Sequence, residues 1–151
     1  MPDEPEVHGV LALMLLHGAR RQARIDPATG ALVTLEDQDR SRWDRDQIAE
    51  GTAILDSALR RRRAGPFQIQ AAIAACHATA NDPAHTDWPQ IVGLYAQLAR
   101  VAPSAVVDLN QAVAIAMVEG PEAALPLVDA VAATGRLTGY YLLHATRASC
   151  A

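Results

Sequence analysis

The chain has 151 residues, 50% of them hydrophobic but only 4% aromatic, with two cysteines and a formal net charge of −4. A core built from Ala, Leu, Val and Ile favours helices over strands, so the composition predicts one all-α domain spanning residues 1–151. The negative net charge argues against direct nucleic-acid binding. The lack of a ~20-residue apolar run argues against a membrane helix. Two cysteines without CxxC spacing fit a cytoplasmic protein rather than a disulfide or zinc scaffold.

Seven helices are predicted along the chain. The first, Pro5 to Arg24, has apolar residues on most of its sides, which indicates a central helix. A turn-forming DPATG and a β-prone ALVTL then predict a short hairpin or extended loop near residues 25–36. Six more helices are expected, at Asp44 to Arg63, Pro66 to Ala80, Asp87 to Val101, Ser104 to Val118, Pro121 to Ala133 and from Leu137 to the C-terminus. Asp44, Asp87 and Ser104 are their predicted N-terminal caps. Pro126 lies inside the sixth helix and is expected to kink it.

The last helices are short and joined by tight turns, which is typical of stacked helical hairpins such as tetratricopeptide (TPR) arrays. Trp88, Ile91 and Tyr95 keep the spacing of the W-x2-L-G-x2-Y signature, although a Val replaces its Gly. The sequence therefore predicts helical hairpins stacked in a TPR-like array over residues 66–151, preceded by N-terminal helices and a loop over residues 5–63.

The segment EDQDRSRWDRDQIAEG, residues 36–51, is dense in charge around one Trp. A calcium loop that started at Asp37 would need Gly at its sixth position and Glu at its twelfth, but these positions hold Arg42 and Ile48. A catalytic carboxylate pair needs unlike environments, whereas the acids here lie close to Arg residues that keep them ionised. The chain also lacks a Gly-rich phosphate loop and the GxSxG and HExxH motifs. We therefore expect no enzyme activity, no metal site and no cofactor.

The second half of this segment has the pattern of a helix start. Asp44 is expected to cap the second helix with Gln47 as its capping-box partner, and Trp43 is expected to pack on Ile48 as the hydrophobic staple.

A helix cap does not explain residues 36–42. These residues are expected either to form an ion network with Arg20, Arg21 and Arg24, which the sequence favours, or to present an exposed surface to a partner protein. In the second case, we expect the partner to bind Asp37, Asp39, Arg40, Arg42 and Trp43. Asn110 is expected to bind it in a TPR-like groove.

Other polar residues allow two interpretations each. The run Arg60 to Arg63 either complements a helix dipole or contacts an acidic protein. His77 and His144 lie in apolar helices and fit core histidines better than metal ligands. Asn110 either bonds across a helix interface or bonds the backbone of a bound peptide.

Five segments, taken in order, carry a resemblance to a known family: LEDQDRSRWDRDQIAEG (35–51), GPFQIQAAIAACHA (65–78), TDWPQIVGLYAQL (86–98), LNQAVAIAMVEGPEAAL (109–125) and GYYLLHATRA (139–148). Together they resemble the C-terminal extension of one subfamily of extracytoplasmic-function (ECF) sigma factors, which carry a TPR-like domain after their DNA-binding regions. The resemblance runs from about Glu4 to Ala148.

The resemblance implies a regulatory domain that controls transcription initiation through protein contacts. Its expected partners are the N-terminal sigma regions, the RNA polymerase core or an adaptor, and members of the subfamily are often linked with small DGPF/YCII-like proteins. The family pattern continues past HAxRA, whereas this chain stops at residue 151, so either the chain is trimmed or its ending diverges from the family. In the first case the last helix lacks its partner, and its exposed apolar surface would favour a homodimer. Two alternatives stay open: a free-standing TPR-like adaptor that binds a peptide or small protein, and an enzyme or small-ligand protein that uses His77, His144 or the charged segment.

Overall fold

The computed structural model describes residues 4–135, apart from the side chain of Glu36, and this part of the chain is all-helical, as predicted. Four single-turn 3₁₀ segments lie between the helices, at Arg21–Ala23, Leu35–Asp37, Arg40–Arg42 and Pro83–His85. The predicted seventh helix, from Leu137, lies outside the described residues. The α-helices are α1 (Glu4–Gly18), α2 (Arg45–Leu59), α3 (Pro66–Thr79), α4 (Trp88–Val101), α5 (Ala105–Glu119) and α6 (Pro121–Ala133).

The chain divides into two compact units, Met1–Thr86 and Asp87–Ala151. In the first unit α1 packs on both α2 and α3, which makes it the central helix that its sequence predicted. The sequence grouped α3 with the later helices, but α3 packs on α1 and α2. In the second unit α5 packs on both α4 and α6, so successive helices stack in chain order.

The first helix ends at Gly18, six residues before the predicted end at Arg24. The chain tightens there into a 3₁₀ turn, and the Arg24 side chain donates a hydrogen bond to the carbonyl of His17 (2.6 Å). The segment predicted as a short hairpin or extended loop follows, and it forms a hairpin with one antiparallel bridge, between Ile25 and Leu32. Gly30 occupies its turn with a φ of +73°, a conformation that favours glycine.

Two glycines allow α1 to lie very close to its neighbours. A Cβ on Gly9 would lie 2.7 Å from the backbone nitrogen of Gln68 on α3. A Cβ on Gly51 of α2 would lie 3.3 Å from the carbonyl oxygen of Ala12 and 3.1 Å from Leu16 Cγ. Ala12 and Leu16 are fully buried at this crossing. The core of the first unit therefore depends on small residues as much as on large apolar ones.

The N-terminus of α3 is capped by a residue of another helix. Its own N-cap position is Gly65, which has no side chain to accept hydrogen bonds. Glu6 of α1 instead accepts hydrogen bonds from the backbone N–H groups of Phe67 (2.9 Å) and Gln68 (2.8 Å). The buried Gln68 side chain also donates to Glu6 Oε1 (3.2 Å) and to the carbonyl of Arg63 (2.7 Å). These bonds join the ends of all three helices of the unit.

The second unit has its own apolar core around α5 and α6. Leu109 and Ala112 of α5 pack there against Ala124 and Val128 of α6, and α6 continues through Pro126. The predicted caps Ser104 and Asp87 accept hydrogen bonds from the first turns of α5 and α4, each at 3.1 Å. Among the described residues, none of the helices has the length and hydropathy to cross a membrane.

Candidate functional site

Arg40, a predicted partner-binding residue, binds the end of α3. Its Nη1 donates hydrogen bonds to the carbonyl oxygens of His77 and Ala80, both at 3.0 Å. The last carbonyls of a helix have no partner within the helix and carry the negative end of its dipole. Arg40 therefore stabilises the C-terminus of α3 inside the protein.

Arg40 also lies over the ring of Trp43, with its Cζ 4.4 Å from the ring centroid. Trp43 is only 3% exposed, and its Nε1 donates to Oε1 of the buried Gln38 (3.1 Å). The Gln38 amide in turn donates to the carbonyl of Val33 (3.2 Å), which belongs to the hairpin. Gln38 was not predicted as important from the sequence, yet it connects the hairpin to the start of α2.

The acids of the charged segment make local hydrogen bonds. Asp37 Oδ2 accepts from the Thr34 hydroxyl (2.9 Å), and Asp39 Oδ1 accepts from the backbone and hydroxyl of Ser41 (3.0 and 2.6 Å). The hydrogen bonds from Ser41 hold the pKa of Asp39 below its usual value. Neither acid pairs with the arginines that follow α1, so these two side chains do not form the ion network that the sequence favoured.

Cations lie close together around the end of α3 and the end of α1. Burial, and then the charges of Arg24 and Arg40, lower the pKa of Arg20 to about 10. Burial, and then the charges of Arg20 and Arg40, lower the pKa of His77 to about 4. His77 is therefore neutral at physiological pH, which agrees with its interpretation as a core histidine.

The low pKa of His77 makes stability depend on pH. Unfolded His77 binds a proton below about 6.5 and folded His77 only below about 4. The contribution is thus complete above pH 6.5 and is lost as the pH falls through 4, which corresponds to a decrease of about 2–3 kcal/mol in the free energy of unfolding. We expect His77→Gln to remove this part of the decrease in urea denaturation curves recorded between pH 7 and pH 4. If the free energy of unfolding fell equally with pH in the parent chain and in His77→Gln, the assignment to His77 would be contradicted.

The start of α2 matches its predicted cap in part. Asp44 accepts a hydrogen bond from the Gln47 backbone N–H (3.1 Å), and Trp43 and Ile48 lie in the same apolar core, as the staple requires. In a complete capping box the Gln47 side chain would accept from the Asp44 N–H. That N–H instead donates to the carbonyl of Ala19 (2.8 Å). The Gln47 amide is left beside Gly18, where its Oε1 lies 3.4 Å from the position that a Cβ would take.

This arrangement leaves an open groove of about 540 Å³ between the end of α1, the 3₁₀ turns at Arg21–Ala23 and Arg40–Arg42, and the start of α2. Gly18 and Ala19 line it on the side of α1, and its polar lining includes Arg21, Gln22, Arg42 and Gln47. We call this the cationic groove.

The arginines of the cationic groove make no direct side-chain bond to the part of the chain that the structure describes. Within residues 4–135, Arg21 and Arg42 form no side-chain hydrogen bond and no ion pair. Asp44 contributes one negative charge to the lining, but its carboxylate already caps α2. Two unpaired guanidinium groups beside a helix N-terminus favour an anionic group such as a carboxylate.

The predicted partner-binding residues lie at several different places. Arg42 and Trp43 line the cationic groove, whereas Asp37, Asp39 and Arg40 make the internal contacts described above. Asn110 is half-buried on α5, in the other unit, and its side chain makes no hydrogen bond within the described residues.

Sequence reasoning missed Arg21, Gln22 and Gln47 as members of the groove. The signal for Arg21 was present: a basic run follows Gly18, where the helix stops. The role of Gln47 depends on a hydrogen bond from Asp44 to Ala19, a residue distant in sequence. Across the described range, no three His, Cys, Asp or Glu side chains cluster closely enough to hold a metal ion.

The described residues thus define an all-helical protein with a cationic groove in its first unit. Residues 1–59 match the sequence model of DUF6596, a family of unknown function, and this segment contains every residue that lines the groove. A protein of Rhizobium meliloti (strain 1021), described as uncharacterized, is 53% identical over 146 residues. The match covers 97% of this chain but 34% of that protein, so the chain spans about a third of the length of the curated relative it matches. No solved structure matches the chain.

Proposed function

We propose that the chain is a regulatory domain of an ECF-type sigma factor, which controls transcription initiation through protein contacts and not through catalysis. The ordered resemblance of five segments to the C-terminal extension of these factors supports the proposal. The match covers only 34% of the Rhizobium relative, which leaves room for sigma regions elsewhere in a protein of that length. Such a domain works in the cytoplasm and needs no cofactor.

The observation that carries the proposal is the cationic groove with its two unpaired arginines. Arg21 and Arg42 both line the groove, one after α1 and one before α2, so a carboxylate-bearing segment bound in the groove would meet both. Complementary charge of this kind steers association and selects the partner. The partner is an acidic surface on the N-terminal sigma regions, on the polymerase core or on a small adaptor such as a DGPF/YCII-like protein.

A calorimetric titration of the 151-residue chain with the matching N-terminal sigma fragment tests this function. We expect binding that Arg21→Glu/Arg42→Glu weakens by at least about 100-fold, because two attractive contacts become repulsive. The control is Arg100→Glu, which makes the same change of charge at an exposed arginine of α4 outside the groove, and it is compared with the single variant Arg21→Glu. Circular dichroism of each variant shows whether it is folded. Equal weakening by Arg21→Glu and Arg100→Glu, or no weakening by Arg21→Glu/Arg42→Glu, would contradict the assignment to the groove.

A second candidate function has its own observation, on α5. Asn110, whose amide makes no hydrogen bond within the described residues, shares a helix face with the exposed Val106 (39%) and Met117 (49%). A free amide between apolar side chains fits the backbone of a bound peptide, as in a TPR-like adaptor. Loss of peptide binding in Asn110→Ala, with sigma-fragment binding absent in the parent chain, would favour this adaptor over the regulatory domain.

A further inference from the structure

Three arginines lie close together where α1 and α3 end. The apolar core that contains Ala23, in the turn after α1, also contains Ala78 of α3. The Arg24 side chain donates to a carbonyl near the end of α1, and Arg40 donates to the last carbonyls of α3. Arg20 lies near both of these arginines. We call Arg20, Arg24 and Arg40 the arginine cluster, and none of the three lines the cationic groove.

Arg20 differs from the other two members of the arginine cluster, because its guanidinium makes no hydrogen bond and no ion pair within residues 4–135. Arg20 is nevertheless half-buried. Burial removes water from a charged group, and an unpaired cation that has lost part of its water is unfavourable. Arg24 and Arg40 add like charge to this effect of burial, and together they lower the pKa of Arg20. Arg20 therefore lies where an anion would stabilise it.

The negative charge that the described residues place around the arginine cluster is too small to balance it. Each helix C-terminus carries about half a unit of negative charge, so the ends of α1 and α3 together offset about one of the three guanidinium charges. Asp82 lies close enough to Arg40 to offset a second one. Roughly one positive charge remains by this count. Arg20 is the member of the cluster that has no partner to balance its charge.

Arg40 also has an unused donor. Its Nη1 bonds the carbonyls of His77 and Ala80, whereas its Nε is enclosed by the protein and makes no hydrogen bond within the described residues. Buried donors in proteins are normally satisfied by another group. This observation is independent of the charge count, and it indicates a small hydrogen-bond acceptor at the same place.

We infer that the arginine cluster binds a small oxyanion, such as phosphate or a carboxylate, between Arg20 and Arg40. A guanidinium presents N–H donors in a fork that matches the oxygens of such a group. The anion must be small, because the protein encloses Nε of Arg40. It also lies near His77, and it opposes the effect by which Arg20 and Arg40, after burial, lower the pKa of that ring. This site is separate from the proposed function, whose partner binds in the cationic groove.

The titration of His77 reports the bound anion. In NMR spectra of the 151-residue chain, we expect the pKa of the His77 ring to rise from about 4 toward its ordinary value when phosphate replaces chloride at equal ionic strength. The reason is that a nearby anion stabilises the charged form of the imidazole ring. Equal ionic strength ensures that general screening is the same in both salts. Identical titrations of His77 in phosphate and in chloride would overturn the inference.

Substitutions test the assignment to Arg20. The dissociation constant of phosphate is measured from the His77 ring signals at a fixed acidic pH. Arg20→Met should raise it by at least about 10-fold, which corresponds to the loss of one hydrogen bond to a charged group. The matched control is Arg21→Met, which removes the same charge from the adjacent residue, in the cationic groove, and it should leave this constant unchanged. Circular dichroism verifies that both variants remain folded. Equal weakening by the two variants, or no weakening by Arg20→Met, would overturn the proposed site.

Discussion

Gly9→Val should lower the free energy of unfolding by about 3 kcal/mol, the upper part of the range for overpacking a tight helix contact. A Cβ at this position would lie 2.7 Å from the backbone nitrogen and 3.0 Å from the Cα of Gln68. These are backbone atoms, so relief requires α3 itself to move away from α1. That movement would also strain the hydrogen bonds from Glu6 to the start of α3, since they join the same two helices.

The matched control is Gly93→Val, because Gly93 lies within α4 and no atom would lie within 4 Å of its Cβ. Val has a slightly better helix propensity than Gly, so this variant should be neutral or gain a few tenths of a kcal/mol. Urea denaturation followed by circular dichroism measures both variants. If Gly9→Val and Gly93→Val had equal stabilities, the close approach of α1 and α3 would not exist in solution.

The helices themselves were predictable because their signals are local. Apolar spacing within each segment, together with caps such as Asp44 and Ser104, depends on residues a few positions apart. Gly9 has no such signal, because a glycine inside a helix is expected only to lower its stability. Its role in the packing becomes clear only once the neighbouring helix is known. The place of α3 in the first unit depends in the same way on contacts with Glu6 and Gly9, which lie about sixty residues away in the sequence.

The sequence predicted only those residues of the candidate site whose position depends on the local chain. Arg42 was predicted to bind a partner from the charge of residues 36–42, and in the structure it lines the cationic groove. Arg40, two residues earlier, has the same chemistry but bonds carbonyls 37 and 40 residues away. No local pattern separates these two arginines, so the sequence assigned them one role, whereas the structure gives Arg40 a stabilising role and leaves Arg42 available.

Arg40→Met should lower the free energy of unfolding by about 2–3 kcal/mol. The substitution keeps an unbranched apolar chain but removes the donor to His77 and Ala80, and hydrogen bonds to charged groups contribute about 1.5–3 kcal/mol. It also removes the contact of the guanidinium with the Trp43 ring. Arg40→Lys should fall between the parent and Arg40→Met, because an ammonium group lacks the planar fork that stacks on a ring.

Arg42→Met is the matched control. It removes the same charge only two residues from Arg40, but the Arg42 side chain makes no hydrogen bond within the described residues. Its unfolding in urea should match that of the parent chain, while binding of the sigma fragment should weaken. Arg40→Met should show the opposite: lower stability, but parent-like binding at temperatures where it is folded. Equal loss of stability in the two variants would mean that Arg40 does not stabilise α3. Loss of binding in a folded Arg40→Met would return Arg40 to the partner surface that the sequence predicted.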